Sequence, residues 1–282
     1  MVIKTKEELI NVFEEANYEV YTHGGIFHAD DVFATALLKS ICPAGTELKI
    51  HRVFKVPEGA FAYDIGGGQF DHHQGIEYRE GTEIPYAAFG KLWAVVGADL
   101  VGEKAANTID AALVQPIDLQ DNGVENNPLS KAISNFNPSW DSEVSVDAAF
   151  DLAVDFAFGI LEREIKKAKS IAKAESLVDE AAAKRDHEKI LVLEQYVPYI
   201  SRVQEKYLEI CFVVYPSLRG GWNCNTVPNP GEKQGKVLFP EAWLGQTNDE
   251  LGITFCHQGN FLLSTNTREQ AIHCAELALE KI

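Results

Sequence analysis

The chain has 282 residues, 46% apolar and 24% charged, the profile of a globular protein with a sizeable core and room for one large domain or two ordinary ones. Its 25 Lys and Arg against 42 Asp and Glu give a net charge of −17, which argues against a protein that coats nucleic acid through a basic face, though not against a phosphate substrate met through bound cations. The five cysteines (Cys42, Cys211, Cys224, Cys256, Cys274) are scattered without a C-x-x-C pair, so reduced thiols in a cytoplasmic protein are expected rather than disulfides or a thiolate zinc site.

Leu9, Ile10 and Phe13 predict a short leading helix within residues 1–17, a charged stretch without the unbroken apolar core of a signal peptide. "YEVYT" (18–22) predicts a strand, "HGGIFHADD" a turn, and "DVFATALLKSIC" a helix that Asp30 or Asp31 is placed to cap. Strands follow at "LKIHRVF", at "AFAYDI" and, briefly, at "GGQFDHH". "PYAAFGKLWAVVGADLV" predicts a helix with Pro near its start, another helix is expected around 103–115, and "PIDLQDNGVENN" reads as a loop rich in Asn and Gly. This alternation predicts an α/β fold, a mostly parallel sheet with flanking helices and a ligand site at the carboxyl ends of its strands.

From Ser145 to His187 the pattern predicts one or two long helices, with Leu161, Ile165, Ala168 and Ala172 along one face and interleaved Lys and Glu on the solvated side. The remainder predicts a smaller α/β unit. Its strands fall at "KILVLEQ", "LEICFVVYP", "WNCNTVP" and within "GITFCHQGNFLLS"; one helix opens at Pro198, and a closing helix carries a Thr267-to-Gln270 capping box. The expected organisation is therefore a catalytic domain over 1–145, a helical linker over 146–187 and a C-terminal domain over 188–282. No apolar run approaches about 18 residues, so no membrane span is expected.

Four polar clusters follow predicted elements: His23, His28 and Asp30; Asp64; Asp71, His72 and His73; and Asp118 with Asp121. Imidazole and carboxylate donors without thiolate suit Mn²⁺, Mg²⁺ or Zn²⁺, and paired ions need a carboxylate able to bridge them. Asp64 fits the bridge. His23 and His28 would serve one ion, Asp30, His72 and Asp121 the other, and His73 would contact a phosphate oxygen or help protonate a leaving group. Each residue alone has an ordinary explanation: Asp30 as a helix cap, Asp64 as a strand end, Asp121-Asn122-Gly123 as a turn. Yet four of the eight histidines lie close to carboxylates behind predicted strands, and that concentration points to a metal site. His51, His187 and His273 fit no cluster.

"THGGIFHADDVFATALL", "YDIGGGQFDHHQ" and "DLQDNGV", in this order, resemble the successive motifs of the DHH phosphoesterase superfamily, and most closely those of its melanocyte-proliferating-gene-1 family. "GGWNCNTVP", "FPEAWLG" and "FCHQGNFLLSTNTREQAI" resemble that family's C-terminal motifs, so the likeness spans roughly 20 to 280. The resemblance implies a two-domain α/β phosphoesterase carrying two divalent ions, usually Mn²⁺ with Mg²⁺ as the alternative, that activate a hydroxide for attack on phosphorus; eukaryotic members are regarded as 3′-to-5′ RNA exonucleases. It implies His23, His28, Asp30, Asp64, His72 and Asp121 as metal ligands, His73 as the phosphate-facing histidine, and Asp71 as the carboxylate orienting a ligating imidazole. His28 stands where many DHH proteins have Asp, and Asp31 replaces the Glu common in the resembled family.

In the C-terminal domain, Gly220 and Gly221 are candidates for a close backbone approach to phosphate, and His257 and Arg268 for binding the substrate's anionic end; a hairpin turn, a packing histidine and a solvated arginine are the ordinary alternatives. The expected activity is metal-assisted hydrolysis of a phosphodiester in RNA or a short oligonucleotide. A small phosphorylated metabolite, a nucleotide or a pyrophosphate is the alternative substrate, and a metal-dependent regulatory protein without catalysis is the third reading. A homo-oligomer is compatible with all three.

Overall fold

Val20 and Thr22 are fully buried on β1 (Glu19–His23), which pairs in parallel with β2 (Lys49–Val53) so that Tyr21 faces His51. The computed structural model describes residues 2–280, and the chain divides into two units, 1–169 and 170–282. Beside β1 the two further expected strands shrink to single parallel bridges, Tyr21 with Ala62 and Tyr63 with Phe70. They stop there because the backbone turns left-handed at Asp64, Gly66 and Gly67.

α1 (Lys6–Glu15) buries Leu9 and Phe13, and the Thr5 hydroxyl accepts from the Glu8 N–H at its start. α2 (Ala29–Ile41) is apolar nearly all round, with Val32, Phe33, Leu37 and Leu38 fully buried, as befits a helix with neighbours on every side. It packs against α3 (Ala88–Val101), α5 (Gln115–Asp121) and α6 (Pro128–Ser134), and its central position carries Asp30 and Asp31 into the interior at its first turn.

α4 (Glu103–Ile109) passes through a π-helical turn over Asp110–Val114 directly into α5. The helix expected at 103–115 thus continues to Asp121, which corrects the loop expected from residue 116. Pro116 stands in the first turn of α5, where a missing N–H is tolerated. α6, which the sequence pattern did not suggest, opens on Asn127, whose side chain accepts from the N–H groups of Leu129 and Ser130.

α7 (Val146–Ala183) is a single helix of 38 residues. Phe150, Val154 and Leu161 belong to the core of the first unit, and Ala174, Val178 and Ala182 to that of the second. The second unit holds a five-stranded sheet in the order β3-β4-β5-β7-β6. β3 (Ile190–Val192) is parallel to β4 (Phe212–Pro216); β5 (Trp222–Thr226), β7 (Leu262–Thr265) and β6 (Ile253–Cys256) continue antiparallel. α9 (Arg268–Leu279) starts on the expected capping box and packs Ala271, Cys274 and Ala275 with Cys224 and Leu263. The other face buries Val213 with Val178 and with Val203 of α8 (Ile200–Lys206). All five cysteines are unpaired and four are buried. Among the described residues, no helix is long and apolar enough to cross a membrane.

Candidate metal centre

Asp64 occupies the middle of the site. It is 2% exposed and sits at φ 56°, in the left-handed region that Asp tolerates better than most residues. Backbone in a sparsely populated conformation concentrates at functional positions. Oδ2 of Asp64 lies 3.3 Å from His23 Nε2 and Oδ1 lies 3.1 Å from His72 Nε2, so one carboxylate reaches two imidazoles on opposite sides. His72 Nε2 is also 3.1 Å from Asp121 Oδ2, and His23 Nε2 is 3.2 Å from Asp31 Oδ2.

Two groups of ligand atoms emerge, His23–Asp31–Asp64 and Asp30–His72–Asp121, with a third, Asp64–His72–His73, overlapping them. The second group is the expected one. The first differs from the expected grouping: Asp31 stands with His23 and Asp64, whereas His28, expected beside His23, lies outside all three. The His28 ring is at the rim, 58% exposed, with Nδ1 3.9 Å from Asp121 Oδ1. Asp31 also takes the His28 backbone N–H on Oδ1 at 2.9 Å, so it caps α2 with one oxygen and faces His23 with the other.

Asp30 holds α3. Its two oxygens accept the N–H groups of Ala88 and Phe89 at 2.9 and 2.7 Å, placing a carboxylate at the positive end of that helix. A carboxylate offers about four lone-pair directions, so these bonds leave room for a cation. Asp118 does not join Asp121. Its carboxylate is wholly buried, accepts from Arg79 Nη2 at 2.7 Å and from the Gly90 N–H at 3.2 Å, and serves as a structural anchor. Gly90 is required there, because a Cβ would collide with that carboxylate. Arg79 further binds Asp110 through Nε and Nη2, donates to the Pro85 carbonyl and lies 4.4 Å from the Tyr86 ring centre.

Asp71 departs from expectation in its partner. It accepts the N–H groups of Gly67 and His73 and meets His73 Nδ1 at 2.8 Å, so the imidazole it orients is that of His73 and not that of His72, the expected ligand. His73 is 57% exposed and, with His28 and Asp64, lines a cleft of about 420 Å³.

The charges are strongly biased. Burial opposes ionisation of His23, yet the carboxylates of Asp31 and Asp64 push its pKa up to about 11. His72 likewise overcomes burial through Asp121 and Asp64 and rises to about 10. Burial, followed by the charges of Asp64, Asp121 and Asp118, holds Asp30 well above the usual carboxylate range. Burial raises Asp31 despite His23, whereas in Asp64 the two imidazoles outweigh burial and lower it. Burial, partly offset by Arg79, lifts Asp118 to about 6.

The residues fit divalent cations. Asp31 Oδ2, Asp64 Oδ1 and His72 Nε2 are buried without a hydrogen-bond partner in the protein, although each has close polar neighbours. Neighbouring ligands on one ion at about 2.1 Å stand about 3 Å apart, the spacing found between these atoms. Protons on His23 and His72 supply positive charge where cations would. Each imidazole is therefore expected to release about one proton when Mn²⁺ binds at pH 8, measurable calorimetrically in buffers of differing ionisation enthalpy. Binding without proton release would place the metal elsewhere. The sign is that of raised groups: their stabilising contribution in the metal-free protein is complete below the ordinary histidine value of 6.5 and is lost as pH rises through about 10 to 11.

The C-terminal candidates do not converge. Gly220 and His257 border a cavity of about 690 Å³, whereas Arg268 lines another of about 570 Å³ with Nη2 3.7 Å from Glu194 Oε1. Gly221 makes its close approach to the Thr265 carbonyl, which a Cβ would strike, and so serves the sheet. Of the residues missed by sequence reasoning, Asp31 carried a signal in its position beside Asp30. Arg79, in "EYREGTEIP", carried none.

The family model MYG1_exonuc, described as "Uncharacterised protein family (UPF0160)", matches residues 19–279. The chain is 26% identical to "MYG1 protein" of Dictyostelium discoideum over 90% of its length and 94% of the relative's. It is 27% identical to "MYG1 exonuclease" of Rattus norvegicus and 25% identical to "MYG1 exonuclease" of Homo sapiens, in both cases over 92% of this chain, covering 84% and 85% of those proteins. No solved structure matches significantly. A match over nearly the whole chain leaves one conclusion: the protein belongs to the MYG1 family.

Proposed function

We propose that the protein is a DHH-type phosphoesterase that uses two divalent ions, Mn²⁺ foremost, to hydrolyse phosphodiester bonds in RNA or short oligonucleotides from the 3′ end. The observation that carries this reading is the reach of Asp64 to His23 on one side and His72 on the other, each imidazole with a further carboxylate beside it. Relatives named as exonucleases in mammals support the nuclease assignment. His23, Asp31 and Asp64 would hold one ion; Asp30, His72 and Asp121, with Asp64 shared, the other. Such a pair, when bound, neutralises phosphoryl charge and lowers the pKa of water enough to supply a nucleophile near neutral pH.

The chain's own residues do the rest. Asp30 ties its ligand position to the start of α3, so the second group cannot drift from the helix. Asp71 keeps His73 Nδ1 engaged, which turns Nε2 away from it, ready to carry a proton toward a leaving oxygen. His28, exposed at the cleft, would meet the phosphate rather than an ion.

A second reading, hydrolysis of a small phosphorylated metabolite, is favoured by the net charge of −17 and by the modest cleft of about 420 Å³. Elemental analysis of the purified protein, alongside hydrolysis of a 5′-labelled RNA and of free nucleotides with and without Mn²⁺, separates the two. Two ions per chain with stepwise shortening is the expected result. Two ions with turnover of nucleotides alone would transfer the assignment to the metabolite. A protein that takes up no metal when Mn²⁺ is supplied would end both.

A further inference from the structure

The second unit presents a sheet face unused by the metal centre. Strand register places Tyr215 of β4 opposite Asn223 of β5, Asn223 opposite Ser264 of β7, and Ser264 opposite Phe255 of β6. Register partners share a side of the sheet, so these four side chains form one row across four strands. The reverse side is covered by α9; on this side α7 and α8 cover Leu191 of β3 and Val213 of β4, while Asn223 and Ser264 are half-buried and Phe255 is exposed. At one end of the row Phe255 is 47% exposed; at the other Tyr215 is buried, and Tyr196, 57% exposed, rests on it with ring centres 5.2 Å apart. Its centre is polar and fixed. The Ser264 hydroxyl donates to Asn223 Oδ1 at 2.7 Å, and the Tyr215 hydroxyl donates to Asn225 Oδ1 at 3.0 Å.

Above the row lies the cavity of about 690 Å³, and a second of about 330 Å³ shares Tyr196 and Tyr215 with it. In a chain with 42 acidic residues, no carboxylate lines either cavity among the described residues; Arg219, on the β4–β5 turn, contributes the one permanent positive charge. A protein partner would call for an apolar middle. This face has aromatic rings outside and amide and hydroxyl groups inside, the chemistry that meets a nucleobase on its flat surface and along its edge, with a cation left for phosphate.

We propose that this face binds single-stranded nucleic acid, with bases stacked on Phe255 and Tyr196, base edges at Asn223 and the backbone toward Arg219. For its place in turnover the proposal rests on the nuclease reading; as a binding surface it is tested separately. The 282-residue chain with Mn²⁺ is titrated with fluorescent oligo(A) carrying hydrolysis-resistant phosphorothioate links, and with an abasic strand of equal length. The abasic strand should bind on the order of ten-fold more weakly, and Phe255→Ala and Tyr196→Ala should each weaken oligo(A) binding by a similar factor while Phe255→Trp retains it. Equal binding of the abasic strand, or unchanged affinity in both alanine variants, overturns the proposal. So does a wild-type dimer that Phe255→Ala dissociates, which would make the face an interface between copies. RNA hydrolysis with unaffected variants sinks this inference alone; base-dependent binding by a protein that cleaves no RNA sinks the nuclease reading alone.

Discussion

Asp64→Asn is expected to lower phosphodiester hydrolysis by at least about a thousand-fold, roughly 4 kcal/mol of transition-state stabilisation, while the chain stays folded. Asn is the informative replacement because position 64 has φ 56°, a conformation that Asn accepts and most other residues do not. The backbone N–H of residue 64 still donates to the Phe70 carbonyl, so the local turn is kept. What disappears is the negative charge between His23 and His72, and with it the proposed shared ligand. Three readings are to be taken together: hydrolysis, metal content and thermal unfolding. Lost turnover with lowered metal content and an intact melting transition is the expected set. Undiminished hydrolysis with metal still bound would remove Asp64 from the mechanism.

Arg79→Met should destabilise the protein by about 3–5 kcal/mol, the usual cost of removing one partner from a buried ion pair. The Arg79 side chain is 7% exposed and that of Asp118 not at all, so no water replaces the lost guanidinium. The stranded carboxylate would stand behind Gly90 at the start of α3, on the same helix end that Asp30 holds. Combining Arg79→Met with Asp118→Leu should restore part of the loss, because an apolar pair avoids the unpaired charge. Urea unfolding of the two single variants and the double variant reads this directly. A single-variant loss below about 1 kcal/mol would mean that Asp118 is neutral or hydrated and that the network is not a structural anchor.

The order of elements was legible because each carries a local signature. The all-apolar helix after "HADD", the Thr267–Gln270 capping box and the Ala-, Lys- and Glu-rich stretch of α7 announce themselves within a few residues. The clustering of Asp30, His72 and Asp121 was likewise legible, since His and Asp concentrate in three short motifs. Other features depend on distant chain. Asp31 and His28 are both polar and both at the start of α2; only helical phase decides that Asp31 turns inward to His23 while His28 stays at the rim. The 116–121 segment reads as a loop from its Pro, Asp and Asn content, yet packing against α2 and α3 keeps it helical. Asp118 and Arg79 find each other across 39 residues, beyond the reach of any periodicity.

The π-helical turn over Asp110–Val114 makes the centre dependent on reading frame along a single helical run. An ordinary α-helix advances about 100° per residue, so removing one residue upstream of α5 would swing everything after it by more than a quarter of a circle. Asp118 would turn from Arg79 and Asp121 from His72 in the same motion. The wide turn accommodates one residue more than an α-helical turn would, and both carboxylates are timed to that extra step. Substitutions on the outer face of α4 leave the phase alone, while a one-residue insertion or deletion between Gly102 and Asp118 strikes the anchor and the proposed ligand together. Along this run, length is under tighter constraint than composition.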